Sequence, residues 1–350
     1  MATRPHQDNP TLPSKTESRP RRKTLNDVAS AVGVSAITIS RALHRPELVQ
    51  AELRTRILAA VAALGYVPDP AARALASRRS STVVALVPSL ANAVFVDLLE
   101  SVQSVCDAAG LQLLIGNTHY RAADEERLLR SHLAATPSGV LLAGFERTTA
   151  AERLLAEAAV PTVYMMDLAP APGIHSVGFD QRAAAQALMA ALTARGRRRI
   201  GFAGAQLDRR TIERAEGWRA AAITAGSWSP VREILSPEPS SPALGAQLLD
   251  RLLAAAPDTD AIFFGNDDLA AGALARAREL GIAVPAQLAI AGFNDLPFAA
   301  WLSPSLTTVK TPRAEVGRRA AERLVALIRG EPIAAEPENL GFELMLRESA

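Results

Sequence analysis

Beyond residue 82 the chain alternates short unbroken runs of Val, Ile, Leu and Ala with longer stretches whose apolar residues recur every three or four positions. An unbroken apolar run of four to six residues reads as a strand covered on both faces, and a 3.6-residue period reads as a helix with one buried face. The runs predict strands at 83–87, 111–115, 140–142, 163–165, 176–179, 200–203, 261–264 and 288–291. The periodic stretches predict helices at about 92–108, 122–135, 148–158, 180–194, 209–225, 243–255, 267–280 and 312–328. Strands and helices in strict alternation mean parallel sheets with helices on both faces. About 265 residues of this pattern exceed what one compact sheet organises, so two doubly wound lobes are predicted. Their ligand belongs outside the carboxyl ends of the strands, between the lobes. The core is assigned to 82–350, with lobe 1 at about 82–179 plus 312–333 and lobe 2 at about 180–308 plus 334–346.

Before residue 82 the pattern is different. In TLNDVASAVGVSAITISRAL, residues 24–43, Leu25, Val28, Ala29 and Val32 share a helical face, and Gly33 then breaks the helix. Ser35 is a good N-cap for a second helix, in which Ile39, Ala42 and Leu43 face inward. Ala36, Thr38, Ser40 and Arg41 are left outside, with Ile37 at the boundary. Two short helices joined by a tight glycine turn, the second exposing small polar residues and Arg, form a helix-turn-helix. A third amphipathic helix follows at 51–64, with Leu53, Ile57, Val61 and Leu64 as its stripe and Gly65 closing it. This all-α head spans 23–68. A Pro-, Ser- and Arg-rich stretch at 1–22 reads as a disordered arm, and 69–81 as a short helix and linker too small to be stable alone.

Charge sharpens this division. Residues 1–80 hold thirteen Lys and Arg against six Asp and Glu, a balance of +7 in a chain whose net charge is +2, which leaves −5 on the remainder. A basic head on an acidic body is the footprint of a nucleic-acid-binding module joined to something else. Hydrophobic residues make up 49% of the chain, enough for a large core, yet no apolar run reaches membrane-span length and the N-terminus has no signal-peptide core, so a cytoplasmic protein without membrane contact is expected. The single cysteine, Cys106, lies on an apolar helical face and reads as buried filler.

Enzyme signatures are missing. No GxGxxG opens a helix after a strand, and neither GxxxxGK[ST] nor GxSxG occurs. His6, His44, His119, His132 and His175 show no metal-ligand spacing. The pair Asp267–Asp268 suits a helix start or a ligand contact. No cofactor, metal or catalytic residue is expected. A transporter's solute-binding protein would share the two-lobed core, but the basic head and the lack of an export signal speak against it.

Several stretches together resemble the lactose/galactose-repressor (LacI) family: TLNDVASAVGVSAITISRAL, LGYVPDPAARALASRRSSTVVALVPSLANAVF, FFGNDDLAAGAL, AIAGFNDLPFA and PSLTTVKTPRAEVG. The likeness covers roughly residues 23–346 and is strongest to gluconate-operon repressors, through PSLANAVF, MMDL, VGFDQRAA, AQLDRRTIERAEGW and GFEL. It implies a homodimer on double-stranded operator DNA, a periplasmic-binding-protein-like effector core, and a hinge helix that orders on DNA. No heptad tail follows GFELML, which favours a dimer over a tetramer.

Carried over by motif, Ser35, Ala36, Ile37 and Thr38 begin the recognition helix, followed by Ser40 and Arg41. Hydroxyls and the first-helix start at Thr24 suit phosphates, and Arg41 suits guanine edges or phosphate. Ala36 and Ile37 stand where polar readers are common; they can read thymine methyls, or Ile37 can pack inward. In the hinge, Leu75 matches the leucine such repressors wedge into the minor groove, with Ala72 beside it and Arg73 in reach of phosphate.

For the effector, the resemblance and the strand ends point to Ser89, Asn92, Phe95, Asp180, Arg210, Arg214, Asn266 and Asn294. Arg209 and Arg210 could equally be a solvated helix start. Arg214 can bind a carboxylate bidentately, and Asn294 stands where many sugar-binding relatives have an acid. An amide there removes a charge that would repel an anion, so the expected effector is a sugar acid, gluconate or a close relative. A neutral sugar or nucleoside, and a ligand acting as co-repressor, remain the alternatives.

Overall fold

A computed structural model describes residues 23–67 and 80–350. The arm at 1–22 and the hinge residues Ala72, Arg73 and Leu75 lie outside them. The described residues fall into two units, 23–67 and 80–350.

The first unit is helical. Helix α1 is Leu25–Val32, α2 Ala36–His44 and α3 Ala51–Leu64, with a 3-10 turn at Pro46–Leu48 between the last two. A reciprocal capping box opens α1. Asp27 N–H donates to Thr24 Oγ1 at 3.3 Å, and Thr24 N–H donates to Asp27 Oδ2 at 2.7 Å. Gly33 takes φ +76 and ends α1, a conformation that would strain a side chain. Ser35 Oγ then accepts from Thr38 N–H at 3.2 Å and starts α2. Val28, Ala29, Val32, Ile39, Ala42 and Ile57 form the buried core, and Leu25, Leu43, Leu53, Val61 and Leu64 pack around it.

The second unit holds two parallel sheets. The first has the order β11-β5-β4-β3-β1-β2, with β1 Thr82–Val87, β2 Gln112–Asn117, β3 Gly139–Ala143, β4 Thr162–Met166, β5 Ser176–Gly178 and β11 Pro337–Asn339. In it Val84 of β1 lies between Leu114 of β2 and Val140 of β3. Helices α4 (Val94–Ala108), α5 (Ala122–Leu133), α6 (Thr149–Ala158) and α11 (Arg313–Arg329) cover its two faces. The second sheet has the order β7-β6-β8-β9, with β6 Ile200–Ala205, β7 Glu233–Ser236, β8 Ala261–Phe264 and β9 Ala289–Ala291. Helices α7 (Gln181–Ala194), α8 (Arg209–Thr224), α9 (Pro242–Ala255) and α10 (Asp267–Glu279) pack on it. A two-stranded antiparallel ribbon, β10 (Thr308–Lys310) with β12 (Glu343–Met345), lies beside the second lobe.

Every predicted strand and helix of the core is present within a few residues. Strands β7, β10, β11 and β12 are additional; each has three or four residues and polar members such as Pro337-Glu338-Asn339, so no apolar run announces it. The lobes also divide differently from the expected boundaries. The chain stays with the first sheet through Asn339, beyond the expected crossing at 333/334, because β11 pairs with β5. Leu296 and Phe298, assigned by sequence to the second lobe, pack into the core of the first. Cys106 is 1% exposed, and burial pushes its thiol up to about 11, so it stays protonated as filler.

Candidate functional sites

On the head, the start of α2 carries the candidate reading surface. Ile37 is 65% exposed, so it does not pack inward; it projects beside exposed Arg41 and half-buried Thr38 and Ser40. Thr38 Oγ1 shares a 2.9 Å hydrogen bond with Ser35 Oγ. Ala36 departs from its expected position: it is half-buried against the head's core, because the tight Gly33 turn tips the first residue of α2 toward α1. Thr24 is exposed, with its hydroxyl donating to Asp27 Oδ2 at 2.9 Å.

In the core, a cavity of about 520 Å³ opens between the carboxyl ends of the two sheets. Ser89, Asn92, Phe95, Arg210, Arg214, Asn266 and Asn294 all line it. The first lobe contributes the loop after β1. Ser89 Oγ accepts from the backbone N–H groups of Ala91 and Asn92 at 3.1 Å, and Asn92 Nδ2 donates to Tyr120 Oη at 3.2 Å. Phe95, at the start of α4, lies under the Arg210 guanidinium at 5.5 Å from the ring centroid. The second lobe contributes Asn266, which N-caps α10 through Leu269 N–H at 3.0 Å and donates from Nδ2 to Ser240 Oγ at 2.8 Å. Asn294, just past β9, is 4% exposed, and its Oδ1 is buried without a hydrogen-bond partner.

The two arginines are not equivalent. Arg210 is paired with Asp208 at 2.6 Å, and Asp208 also caps α8 by accepting from Thr211 N–H at 2.9 Å. Burial opposes the charge on Arg210, but the carboxylates of Asp208 and Asp167 outweigh it and hold the guanidinium above its usual value. Asp208 is correspondingly held low: burial raises it, and Arg210, the Thr211 N–H and Arg214 together more than reverse that. Arg210 Nη1 is buried with no partner. Arg214 instead donates only to neutral acceptors, Gln181 Oε1 at 2.8 Å and the Gly265 carbonyl at 2.6 Å, and stacks 3.9 Å over Phe293. Burial pushes it down to about 10 despite the pull of Asp208, so it is charged at neutral pH and not ion-paired. The cavity thus holds one ion-paired guanidinium and one that is not, a buried donor without a partner on Arg210 and a buried acceptor without a partner on Asn294.

Asp180 is the exception among the sequence candidates. It is exposed and absent from the lining; its Oδ1 caps α7 by accepting from Ala183 N–H at 2.8 Å. Its neighbour Gln181, 1% exposed, holds Arg214 instead. Arg209 is turned away toward Glu213 at 2.8 Å and Phe145, on a smaller adjoining cavity that Asp167 also lines.

Known proteins share this architecture over most of the chain. Residues 24–69 match the family of bacterial regulatory proteins described as the lacI family, and residues 189–350 match a periplasmic binding protein-like domain. The HTH-type transcriptional regulator GntR of Pseudomonas aeruginosa is 51% identical over 94% of this chain and 96% of its own. The chain belongs to the LacI family. The Escherichia coli K12 regulator GntR is 37% identical over 93% of this chain and 97% of its own. The crystal structure of transcription regulator GntR from Chromobacterium violaceum is 54% identical, covers 77% of this chain and 98% of that one, and superposes with a TM-score of 0.74. This LacI-family protein is a DNA-binding transcriptional regulator, with a helical head and an α/β core of parallel sheets. Among its described residues no helix is long and apolar enough to cross a membrane, and no cluster of His, Cys, Asp or Glu is placed to hold a metal ion.

Sequence reading missed Asp208, Gln181 and Tyr120 in and around the cavity. Asp208 had a usable signal, an acidic N-cap directly before the RRTIER helix. Tyr120 sits in a loop with no periodicity and had none.

Proposed function

We propose that this chain is a homodimeric repressor of sugar-acid catabolism genes, that gluconate or a close relative occupies the cavity between its lobes, and that occupancy lowers its affinity for its operator. The observation that carries this reading is Arg214: a buried, charged guanidinium whose hydrogen bonds all go to neutral acceptors. Nearby carboxylates such as Asp208 act on Arg214 only from a distance, and a buried charge with no direct ion pair gains from an anion at its open edge, so the cavity favours a carboxylate over a neutral sugar. Arg210 Nη1 and Asn294 Oδ1 would complete the set, one donating to and one accepting from ligand hydroxyls. The relatives that carry the name GntR support the same choice.

Dimerisation has its own support. The edge strand β2 exposes Leu114 and Ile115, Val96 is 54% exposed on α4, and Trp301 is 88% exposed on the second lobe. Apolar groups of that size at an open sheet edge call for a partner. Two heads from one dimer give the paired half-sites that a single small head cannot hold tightly. On the head, Ser35, Thr38 and Ser40 suit phosphates, while Ile37 and Arg41 suit base edges. A regulator of this kind works in the cytoplasm, where its DNA is.

The test is calorimetric titration of the full-length protein with gluconate, glucose and a nucleoside, run beside anisotropy measurements on its own promoter DNA. Gluconate should bind and should weaken the DNA complex. Binding of glucose or the nucleoside with gluconate silent would overturn the effector assignment, and tighter DNA binding on gluconate addition would make the ligand a co-repressor.

A further inference from the structure

Asn294 has φ +116 and Asp295 follows at φ +53. Two successive non-glycine residues in left-handed backbone persist only where their surroundings hold them. Asn294 N–H on the Val309 carbonyl, Asp295 N–H on Thr308 Oγ1 and the Arg347–Asp295 ion pair hold this kink from the second lobe's side. From the other side it is held by Arg313, the first residue of α11, which is 8% exposed and stands outside the cavity lining. Its Nη1 donates to the Asn294 carbonyl and, at 3.2 Å, to Thr311 Oγ1; its Nη2 reaches the Asp295 carbonyl at 3.5 Å. The far edge of the same guanidinium grips Asp97 on α4, with Nε and Nη2 at 3.2 and 2.9 Å from Oδ2.

These partners belong to different bodies. The kink is where the chain leaves the second lobe: Phe293 packs in that lobe's core and Leu296 in the first lobe's. Asp97 belongs to the first turn of α4, one residue from the exposed Val96 and two from the cavity-lining Phe95. Helices α4 and α11 are in close backbone contact here: a Cβ added at Gly317 would stand 2.2 Å from the Leu98 carbonyl oxygen. A displaced Asn294 carbonyl therefore acts on Asp97 through one planar side chain.

We infer that Arg313 is a positioning residue that ties Asn294 to helix α4, so that a ligand engaging Asn294 Oδ1 is reported to the first lobe through the Arg313–Asp97 pair. The planar fork is what the job needs. It holds two carbonyls and a carboxylate at once, where a lysine offers a single point of charge. This rests on the cavity being the effector site.

The experiment uses the full-length protein, gluconate and an operator fragment. Asp97, 43% exposed on its side chain, can be replaced without opening the core. Asp97→Ala is expected to leave gluconate affinity within about threefold of wild type while the gluconate-induced fall in operator affinity shrinks about tenfold. Arg313→Lys should lose the same coupling, and the double variant should lose no more than Arg313→Lys alone, because both ends belong to one link. Wild-type coupling in both single variants overturns the inference. If wild-type protein takes up no gluconate, the sugar-acid reading fails by itself and hydrogen exchange on the free protein decides the link. The protected amides are Asn294 N–H on the Val309 carbonyl and Leu296 N–H on Asp267 Oδ2. Arg313→Lys must speed their exchange about tenfold while the interior of β6 is unaffected, and equal exchange sinks the link.

Discussion

Among the described residues, the buried side chains of the head are all aliphatic: Val28, Ala29, Val32, Ile39, Ala42 and Ile57. The sensing core buries such residues too, but with them Asp167, Arg210, Arg214, Asp267 and Arg313. The head keeps its interior plain and its chemistry outside, at Ile37, Arg41 and the hydroxyls around Ser35. That suits a partner as large as a DNA duplex, which comes to the surface and needs only a rigid face. The core does the reverse. A small solute must be surrounded to be told from its analogues, so charge and unpaired hydrogen-bonding atoms are sealed inside, where each is worth most and is least tolerable unmet. Burial is therefore a stability device in one unit and a sensing device in the other.

The largest effect that could break this comparison comes from Ile57→Ala. Ile57 is wholly buried, one of six buried residues among those described in the head. Truncation there costs about 2–5 kcal/mol, comparable to everything so small a unit has to give. Operator binding should vanish while calorimetric gluconate affinity stays at its wild-type value; loss of both would mean the two units do not fold independently. Next, Arg214→Met nearly keeps the side-chain volume and removes the charge that has no direct ion pair. Gluconate affinity should fall by about 3 kcal/mol, on the order of a hundredfold, in the same calorimetric assay. A change under tenfold would place the anion elsewhere.

The third prediction concerns Asp267, whose carboxyl burial raises from 3.8 to about 6, against the opposing hydrogen bonds of Thr308 and Leu296. The folded core holds this proton up to about pH 6, whereas the unfolded chain releases it near 3.8. The contribution is therefore fully present below pH 3.8 and is lost as pH rises from there through 6, about 3 kcal/mol in all. Urea unfolding at pH 5 and pH 7.5 should show Asp267→Asn losing about 1.4 kcal/mol less stability than wild type, the part of the loss that falls in that interval. Parallel slopes for the two proteins would mean that Asp267 is ionised in the fold throughout.

Much of this was legible in advance for a physical reason. Long periodic helices and unbroken apolar strands declare themselves through local pattern, and they position the strand ends and helix starts that bring seven of eight cavity candidates to the lining. The eighth shows the limit. Asp180 and Gln181 are adjacent at a helix start, and only the packing of α7 against α8 decides that Gln181 turns to Arg214 while Asp180 caps the helix. Arg209 and Arg210 likewise look alike in sequence, yet one reaches outward to Glu213 and the other is buried over Phe95.

By itself the sequence determined that a basic three-helix head precedes an acidic two-lobed α/β core, and which family the chain joins, because those properties reside in period, charge and contiguous motifs. Tertiary structure alone decided that Arg210 is neutralised and Arg214 is not, that Leu296 returns to the first lobe, and that Arg313 bridges Asn294 to Asp97, a residue 216 positions away. The reason lies in distance along the chain. A hydrogen bond or a burial between segments this far apart leaves no local period to read, and it exists only once both lobes are built.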